Sequence, residues 1–396
     1  MNIKLANRVK KLIDPTVEDS LKLASKPGVI SLAGGIPNPE LFPIEEINLS
    51  LKKLLKNDEK KVLQYSQTAG ISELRKIIAR YYSNKWKKKI SLDEVLITTG
   101  SQQALDLLGK AFLEKGDCVI TENPTYFVAL SAFNGYEVQY KTVQLKENSI
   151  DIKQLESHLI EKREKIKFIY SIPTFQNPSG NCWSEDARNK VIRLISKYKC
   201  LLIEDDPYSE LYFGNESPKN LVVYYDHRES IIYLGTFSKT FCPGLRIGYV
   251  IGSKELIKKL SLIKQGMDLH SPTFSQYLIY EFIKNEQTFN IHLNKIRQYY
   301  KEKCQYMIWC LNKYLKNKAT WTNPQGGIFI WLTISGVDCR ELYQKAIVYG
   351  LAFMPGYPFY ANQPQLDTIR LTFATATNEE IKKGIIILRD LLNKKA

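Results

Sequence analysis

A lysine, two hydroxyl residues and an arginine lie close together in the stretch 231–250, which reads IIYLGTFSKTFCPGLRIGYV. Its apolar start predicts a short buried strand, and Lys239 follows in a loop after Thr236 and Ser238. A lysine amine can form a Schiff base with a carbonyl cofactor. The hydroxyl groups and the guanidinium of Arg246 can bind the phosphate of such a cofactor, the guanidinium through two parallel hydrogen bonds.

The alternative interpretation of this stretch is an exposed loop lysine and an arginine that pairs with a surface carboxylate. The chain has 56 Lys and Arg residues, so a short match of this kind carries little weight alone. Further cofactor contacts must therefore come from other parts of the chain.

The composition is that of an ordinary globular protein. The 396 residues are 44% hydrophobic and 24% charged, which allows a large core and favours two or three domains. No apolar run is long enough to span a bilayer, and the N-terminus does not resemble a secretory signal. The seven cysteines are scattered without a CxxC pair. We therefore expect no disulfide framework, no metal site, no membrane partner and a cytoplasmic location.

The formal net charge of +15 has two interpretations, a nucleic-acid-binding surface or a solvated basic surface. The lysines are spread along amphipathic segments, and the densest cluster is NKWKKK at 84–89. No zinc-finger or RNA-recognition signature accompanies them. We therefore expect no nucleic-acid partner.

Apolar strands alternate with amphipathic helices, for example at about 151–162 and 184–199, through the first two thirds of the chain. This alternation predicts a mostly parallel sheet covered by helices on both faces. The chain is then helical from about 253 to 316, and a smaller α/β segment with a helix at about 338–349 closes it. Ligands in such sheets bind at the carboxyl ends of the strands. The residues that follow predicted strands should converge there: Ser101, Asn177, Asp205 and Lys239.

The segment TTGSQQALDLL joins a predicted strand, a glycine and the start of a helix. Ser101 is expected at or near the N-cap of that helix. The N–H groups and dipole of a helix N-terminus favour a bound phosphate. Every βα unit shares part of this pattern, so it supports a phosphate site only in combination with other motifs.

Several short motifs occur in one order along the chain: SLAGGIPNPELFP, LQYSQTAG, TTGSQQALDLL, NPTY, QNPSG, EDDPY, GTFSKTFCPGLRIG, GGIFIW and IRLTFA. Through this combination the chain resembles the fold-type I pyridoxal-phosphate enzymes. It is most similar to the aminotransferases that include the 2-aminoadipate and kynurenine enzymes. The resemblance runs from about Val29 to the C-terminus.

The resemblance implies an α/β fold with a large domain, whose mixed, mostly parallel sheet is flanked by helices, and a smaller α/β domain built from the two chain ends. Residues 1–45 would form an N-terminal arm and part of the small domain. Residues 46–285 would form the large cofactor-binding domain, and residues 286–396 the C-terminal small domain.

The resemblance also implies how pyridoxal 5′-phosphate is bound. Lys239 would hold the cofactor covalently and later move the substrate proton. Asp205, the first aspartate of DDPY, would keep the pyridine nitrogen protonated, which makes the ring an electron sink. Asp206 is the rival carboxylate. Tyr208 and Asn177 would bind the ring oxygen O3′.

Residues from several segments would complete the cofactor site. The phosphate would be bound by Ser101, Gln102, Thr236, Ser238 and Arg246. Tyr126 would stack on the ring, although an ordinary core aromatic is the alternative for this residue. Tyr65 would reach the phosphate of the neighbouring subunit, which implies a homodimer with shared active sites. A half-buried loop aromatic is the alternative for Tyr65.

The substrate would be bound by Arg370 of IRLTFA together with Gly35 and Asn177. A guanidinium can bind the α-carboxylate that amino acids and 2-oxo acids share, although an edge-strand arginine is a common alternative. Gly35 would let the substrate approach the backbone closely.

The resemblance predicts an aminotransferase that moves an amino group between an L-amino acid and a 2-oxo acid by a ping-pong mechanism. A racemase or decarboxylase with the same cofactor and fold is the alternative. A transcription regulator that joins this fold to a DNA-binding domain is a further class, although residues 1–28 are too short for such a domain. The sequence leaves the amino donor and acceptor open.

Overall fold

A computed structural model describes residues 5–6, 8–9, 26–161, 165–225 and 228–394. The strands are β1 (Ile30–Ser31), β2 (Val95–Thr98), β3 (Cys118–Asn123), β4 (Gln139–Lys146), β5 (Ser149–Ile150), β6 (Ile166–Ser171), β7 (Leu202–Asp206), β8 (Ile231–Thr236), β9 (Gly248–Ile251), β10 (Thr320–Trp321), β11 (Phe329–Thr333), β12 (Leu351–Ala352), β13 (Met354–Pro355) and β14 (Thr368–Thr372). The helices are α1 (Ile44–Asn57), α2 (Glu59–Val62), α3 (Ser72–Trp86), α4 (Gly100–Phe112), α5 (Phe127–Asn134), α6 (Ile152–Glu161), α7 (Glu185–Tyr198), α8 (Lys254–Asp268), α9 (Thr273–Ile283), α10 (Glu286–Tyr314), α11 (Cys339–Val348) and α12 (Asn378–Asn393).

The main sheet has eight strands in the order β2-β9-β8-β7-β6-β3-β4-β5. Five neighbouring strands run parallel to one another, in the order β4, β3, β6, β7 and β8. Strand β9 is antiparallel to both of its neighbours, β2 and β8. Every residue of β2, β3, β7, β8 and β9 is buried, as expected for strands covered on both faces. The predicted mixed, mostly parallel sheet flanked by helices is therefore confirmed.

Two apolar clusters cover the two faces of this sheet. Leu96 packs into one cluster with the buried face of α4, whereas its neighbour Ile97 packs into the other with α3 and α9. Successive strand residues point to opposite faces, so each apolar strand contributes to both clusters. This burial fixes the carboxyl ends of the strands, from which the candidate site residues project.

A second sheet is antiparallel and has the order β10-β11-β14-β13. It packs with α10, α11 and α12 in a third apolar cluster. Strand β1 pairs in parallel with β12, which ties the segment before α1 to this part of the chain. Helix α10 joins the two halves, because Phe289 packs against the main-sheet cluster and Ile296 lies in the third cluster. The domain limits at residues 45 and 285 stay a prediction.

The helices expected at about 151–162, 184–199 and 338–349 are α6, α7 and α11, and each end differs by one residue. None of the seven cysteines forms a disulfide. Across the described ranges, no cluster of His, Cys, Asp and Glu is arranged to hold a metal ion. Among the helices described above, none is both long and apolar enough to cross a membrane.

Candidate active site

A cavity of about 360 Å³ lies where the main sheet, the second sheet and the segment before α1 meet. Its lining includes every predicted site residue except Tyr65: Gly35, Ser101, Gln102, Tyr126, Asn177, Asp205, Tyr208, Thr236, Ser238, Lys239, Arg246 and Arg370. Asp205 is the penultimate residue of β7, and Lys239 follows β8 by three residues. The cavity therefore lies at the carboxyl edge of the parallel strands, where α/β sheets bind ligands.

The two aspartates of DDPY lie in different environments. Asp205 lines the cavity, where its Oδ2 accepts a hydrogen bond of 2.8 Å from the hydroxyl of Tyr170 and its buried Oδ1 has no partner. Asp206 lines a separate cavity of about 390 Å³ and accepts hydrogen bonds from Ser209 N, Asn220 Nδ2 and Tyr233 Oη. Asp205 is therefore the carboxylate that can accept a further donor from a ligand in the candidate site.

Burial raises the pKa of Asp205 to about 7, although the hydrogen bond from Tyr170 opposes this rise. A cationic N–H donor beside Oδ1 would favour the ionised carboxylate and satisfy the free oxygen at the same time. A protonated pyridine nitrogen is a donor of this kind.

The amine of Lys239 donates a hydrogen bond of 2.6 Å to the carbonyl oxygen of Gly35. Burial, together with the nearby charges of Arg370 and Arg246, lowers the pKa of Lys239 to about 8. A substantial fraction of this amine is therefore neutral near pH 8, which is the form that can attack a carbonyl carbon.

One end of the cavity is built to hold an anion. Gly100 has a φ of +74°, and a Cβ at this position would lie 2.5 Å from Nη2 of Arg246. A Cβ on Gly248 would lie 2.6 Å from the nitrogen of Ser101. The two glycines therefore let β9, the guanidinium and the first turn of α4 come together, so a helix N-terminus and a cation face the same space.

Helix α4 begins at Gly100 with Thr99 at its N-cap, so Ser101 lies inside the first turn rather than at the N-cap itself. The loop after β8 completes the anion-binding end. The hydroxyl of Thr236 donates to Ser238 Oγ at 2.9 Å and accepts from the Ser238 nitrogen at 3.1 Å. These bonds hold the hydroxyl pair next to Arg246, whose Nη1 lies 3.5 Å from Ser238 Oγ.

Arg370 forms the other charged end of the cavity. Its Nη1 donates to Asn177 Oδ1 at 2.9 Å, its Nη2 donates to the carbonyl oxygen of Ala33 at 2.7 Å, and its buried Nε has no partner. The guanidinium carbon lies 4.2 Å from the ring centre of Phe329 and 5.0 Å from that of Phe359. Burial lowers the pKa of Arg370 to about 10, so the side chain is still charged at neutral pH.

The cavity has three cationic side chains and one carboxylate: Lys239, Arg246, Arg370 and Asp205. Within the part of the chain that the structure describes, none of the three cations forms an ion pair. Arg370 is buried, and a buried cation without a counterion is costly unless a ligand supplies the opposite charge. The cavity is therefore suited to a ligand, or a pair of ligands, with an anionic group at each end.

Aromatic side chains form much of the remaining wall. Tyr208 is buried and contacts the edge of Phe329 at a ring-centre distance of 5.8 Å. Burial raises the pKa of Tyr126 to about 12, which keeps its hydroxyl protonated as a donor. A Cβ added to Gly35 would lie 2.9 Å from Cζ of Phe329, so this glycine makes a close backbone approach to the cavity wall.

Tyr65 is not part of the cavity of its own chain. Its side chain is 78% exposed, and its ring contacts the edge of His270 at a ring-centre distance of 5.5 Å. The prediction that Tyr65 serves the neighbouring subunit stays a prediction.

Sequence reasoning gave no role to several residues that line or support the cavity: Ile36, Tyr170, Phe329, Met354 and Phe359. Tyr170 occupies the middle of the strand motif KIKFIYSIP, where an aromatic residue is ordinary. Phe329 belongs to GGIFIW, so the paired glycines before it were the only signal available for this part of the wall.

A family model described as aminotransferase class I and II matches residues 28–387. The chain is 37% identical over 382 residues to aromatic-amino-acid aminotransferase 1 of Thermococcus litoralis, which covers 96% of this chain and 91% of the relative. It is 39% identical over 375 residues to 2-aminoadipate transaminase of Thermus thermophilus, which covers 93% of this chain and 91% of the relative.

Solved structures give the same result. The α-aminoadipate aminotransferase of Thermus thermophilus, complexed with N-(5′-phosphopyridoxyl)-L-leucine, has a TM-score of 0.91 at 36% identity and covers 98% of this chain and 97% of its own. The kynurenine aminotransferase of Pyrococcus horikoshii has a TM-score of 0.94 at 36% identity and covers 99% of this chain and 97% of its own.

Proposed function

The chain belongs to the aminotransferase class I and II family, and we propose that the cavity around Lys239 is the site where it exchanges amino groups between L-amino acids and 2-oxo acids. The protein is a pyridoxal-phosphate-dependent aminotransferase of fold type I, as the sequence motifs predicted. The alternative of a racemase or decarboxylase of the same fold is less well supported, because the similar proteins reported above are aminotransferases.

The observation that best supports this site is the buried Oδ1 of Asp205, which has no partner in a cavity that also holds a lysine whose pKa is lowered to about 8. When it is bound, pyridoxal phosphate supplies a ring that accepts the electron pair released at the substrate Cα. In our proposal Asp205 holds a proton on the pyridine nitrogen of that ring. The part of the cavity bordered by the first turn of α4 and Arg246 receives the phosphate, with Ser101, Thr236 and Ser238 around it.

Lys239 has two tasks in this proposal. Its amine would hold the cofactor through the carbonyl group of the cofactor. When free, the same amine would take up and return the α proton of the substrate, for which a pKa of about 8 is suitable. In this proposal Tyr208 and Asn177 hydrogen-bond the ring oxygen, which is supported by the position of both side chains in the lining of the cavity that holds Asp205 and Arg370.

Arg370 binds the α-carboxylate of amino acids and 2-oxo acids in this proposal. Its guanidinium has only neutral acceptors, Asn177 Oδ1 and the carbonyl of Ala33, and its Nε has no partner. A carboxylate is the ligand that completes such a guanidinium. Gly35 leaves room for the substrate beside Phe329 and Arg370.

We further propose a homodimer in which Tyr65 completes the partner's site. Leu63, Met267 and Leu269 are exposed apolar residues close in sequence to Tyr65 or to its contact His270, and a second copy would cover them. A groove of about 850 Å³, lined by Gln102, Arg246 and Met267 among others, lies beside the anion-binding end. A tyrosine of the partner could reach the phosphate through this groove.

Hydrogen bonds anchor the segment that follows Tyr65. Gln276 is fully buried, accepts a hydrogen bond of 2.8 Å from the nitrogen of Ile71, and donates one of 2.8 Å to the carbonyl of Ser271. Ser66 contacts His270 at 3.3 Å. The exposed tyrosine therefore projects from an anchored segment, as a residue that binds across an interface must.

The activity is tested with a panel of L-amino acids and either pyruvate or 2-oxoglutarate as acceptor. We expect one new amino acid for each new 2-oxo acid, no turnover without acceptor beyond one equivalent per site, and no turnover by Lys239→Ala. Inversion of the substrate or release of carbon dioxide without an acceptor would instead support a racemase or a decarboxylase. A cytoplasmic location stays a prediction.

A further inference from the structure

Lys264 on α8 is a lysine whose side chain has no exposed surface, and it does not line the candidate active site. Its ammonium donates to Asp268 Oδ1 at 2.7 Å, to Asp268 Oδ2 at 2.8 Å and to Gln103 Oε1 at 2.9 Å. A buried ammonium is costly unless its protons are all bonded, and a buried ion pair contributes little net stability. This cluster is therefore a candidate for a role other than stability.

Gln103 connects the ion pair to the turn before α4. Its Oε1 also accepts a hydrogen bond of 2.8 Å from the backbone nitrogen of Thr99, and its Nε2 donates one of 2.6 Å to Asp268 Oδ2. Only one orientation of the amide group satisfies these contacts, because the reverse would place NH₂ against an ammonium and an oxygen against a carboxylate. The ion pair thus fixes the orientation of Gln103.

Thr99 is held at two points by this cluster. Its backbone nitrogen bonds to Gln103, and its hydroxyl donates to Asp268 Oδ2 at 3.0 Å. Burial acts to raise the pKa of Asp268, but hydrogen bonds from Lys264, Gln103 and Thr99 outweigh it and hold this pKa below its usual value. The carboxylate therefore stays ionised and keeps Thr99 in place at neutral pH.

The next residue, Gly100, lies where a small change in backbone conformation would alter the anion-binding end of the cavity. Glycine has more accessible backbone conformations than any other residue, and Gly100 lies in the left-handed region with Arg246 packed directly over it. A rotation at Gly100 would turn the N–H groups of Ser101 and Gln102 away from the space beside Arg246. The fixed position of Thr99 opposes this rotation.

We propose that Lys264, Asp268 and Gln103 are positioning residues for phosphate binding, because they hold Thr99 and so fix the first turn of α4 and its approach to Arg246. The inference rests on the proposed function, which places the phosphate of the cofactor at this turn. It concerns the phosphate group alone and predicts no change in how the ring or the lysine linkage is formed.

The experiment compares two ligands that differ only in the phosphate. Dissociation constants of the apo-protein are measured for pyridoxal phosphate and for pyridoxal, and their ratio reports the contribution of the phosphate. In Gln103→Met and in the double variant Lys264→Met/Asp268→Asn, we expect the ratio to fall by about 10-fold or more, as small displacements of binding groups commonly cost. The affinity for pyridoxal should stay within about 2-fold of that of the wild type, because the phosphate-free contacts are unchanged.

The matched control is the exposed ion pair of the same spacing on the same helix, Lys259 with Glu255. The double variant Lys259→Met/Glu255→Gln should keep the wild-type ratio. Circular dichroism and thermal unfolding of each apo-protein show whether it is folded. Gln103→Met leaves the Lys264–Asp268 pair intact, so it tests the inference even where the charge variants do not fold.

Two failures can be told apart. If the wild type prefers pyridoxal phosphate and folded Gln103→Met keeps the same ratio, the inference is overturned and the proposed phosphate site stands. If the wild type binds pyridoxal as tightly as pyridoxal phosphate, the phosphate site itself is wrong and the inference falls with it.

Discussion

The hydroxyl of Tyr170 donates a hydrogen bond of 2.8 Å to Oδ2 of Asp205, while Oδ1 of the same carboxylate is buried without a partner. Tyr170 lies on β6 and Asp205 on the adjacent parallel strand β7, so the contact joins two neighbouring strands of a buried sheet. One oxygen of the carboxylate is therefore fixed in direction, and the other is left to bind the cofactor.

Replacing Tyr170 by phenylalanine removes the donor that orients Asp205. A hydrogen bond to a charged group is worth about 1.5–3 kcal/mol, so we expect kcat to fall by about 10- to 100-fold. The substrate KM should change little, because Tyr170 acts on the carboxylate and not on the substrate. Tyr233→Phe, which removes a similar bond to Asp206, is the matched control. Equal losses in both variants would mean that the effect comes from the sheet and not from Asp205.

Replacing Asp205 by asparagine should change both the activity and the pH dependence of stability. Because the folded pKa of Asp205 is raised to about 7, this group stabilises the apo-protein below about pH 4 and loses that contribution as the pH rises through 7. The non-titrating variant should therefore lose less unfolding free energy between pH 5 and 8, by on the order of 3 kcal/mol.

Asp205→Asn should also raise the activation free energy of the chemical step by on the order of 3 kcal/mol, because a preorganised charge is lost. Asp206→Asn, whose carboxylate has three donors on the other side of the strand, should cost far less activity. Denaturant unfolding at the two pH values and steady-state kinetics are the measurements. An Asp205→Asn protein with the same pH dependence as the wild type would contradict the raised pKa.

Replacing Arg370 by methionine should weaken the binding of amino acids and of 2-oxo acids alike. The loss of a charged bidentate contact should lower kcat/KM by about 100-fold or more for every substrate, whatever its side chain. The cofactor should be retained, because its phosphate is bound at the opposite end. Arg340→Met, which removes an exposed ion pair, is the control. A variant that loses the cofactor but keeps its affinity for amino acids would show that Arg370 has another task.

Arg370→Met should also raise the pKa of Lys239, because one of the charges that lowers it is gone. In the wild type, the rate at which borohydride-reducible cofactor forms on Lys239 should rise with pH and level off above about pH 8. The midpoint should lie at a higher pH in the variant. Peptide mapping of the reduced protein must place the cofactor on Lys239, and a different lysine would disprove the assignment.

Most of the predicted residues that line the cavity lie near the end of a strand or in a loop after one, although Arg370 lies within β14. Asp205 and Lys239 could be predicted to converge because the carboxyl ends of parallel strands meet at one edge. Strand β9 is antiparallel to β8. The sequence signal for this is the short connection between them, which holds one 3-10 turn (Pro243–Leu245) and no α-helix, because a parallel pair needs a longer crossover.

The residues that were missed act through tertiary contacts that have no local pattern. Tyr170 is an ordinary strand aromatic until β7 is placed beside it, and Lys264 is one of many lysines on amphipathic helices until α8 is packed against α4. Ser101 was expected at or near the N-cap and lies two residues after it, because helix ends depend on the backbone hydrogen bonds that form in the fold. The role of Tyr65 depends on a second chain.

Gly35 and Gly34 provide a matched pair for the substrate side of the cavity. A Cβ on Gly35 would lie 2.9 Å from Phe329 Cζ and 3.8 Å from Arg370 Nη2, whereas a Cβ on Gly34 would meet only the side chain of Ile36, at 3.6 Å. Gly35→Ala must therefore displace the Phe329 ring that packs on Arg370, and we expect kcat/KM to fall by about 10-fold or more. Gly34→Ala should have a clearly smaller effect. The reverse order in steady-state kinetics would show that Gly35 does not border the substrate.

The last prediction concerns Tyr65, which is exposed on its own chain but is proposed to bind the phosphate of the partner. If each site needs two chains, the protein is an obligate dimer for catalysis. Its affinity for the cofactor should then fall on dilution below the dimer dissociation constant. Sedimentation and cofactor binding measured over the same concentration range test this directly.

Complementation between inactive variants gives a sharper test. In a symmetric dimer, a mixed pair of Tyr65→Ala and Lys239→Ala chains contains one site with both lesions and one with neither. Verified heterodimers should therefore recover up to about half of the wild-type activity, provided that Tyr65→Ala alone is strongly impaired. A Leu63→Ala chain, in place of Tyr65→Ala, controls for changes in dimer formation at the same surface. If the heterodimers stay inactive, Tyr65 acts within its own subunit and the shared site is wrong. The segment 65–71 would then have to move toward the cavity of its own chain.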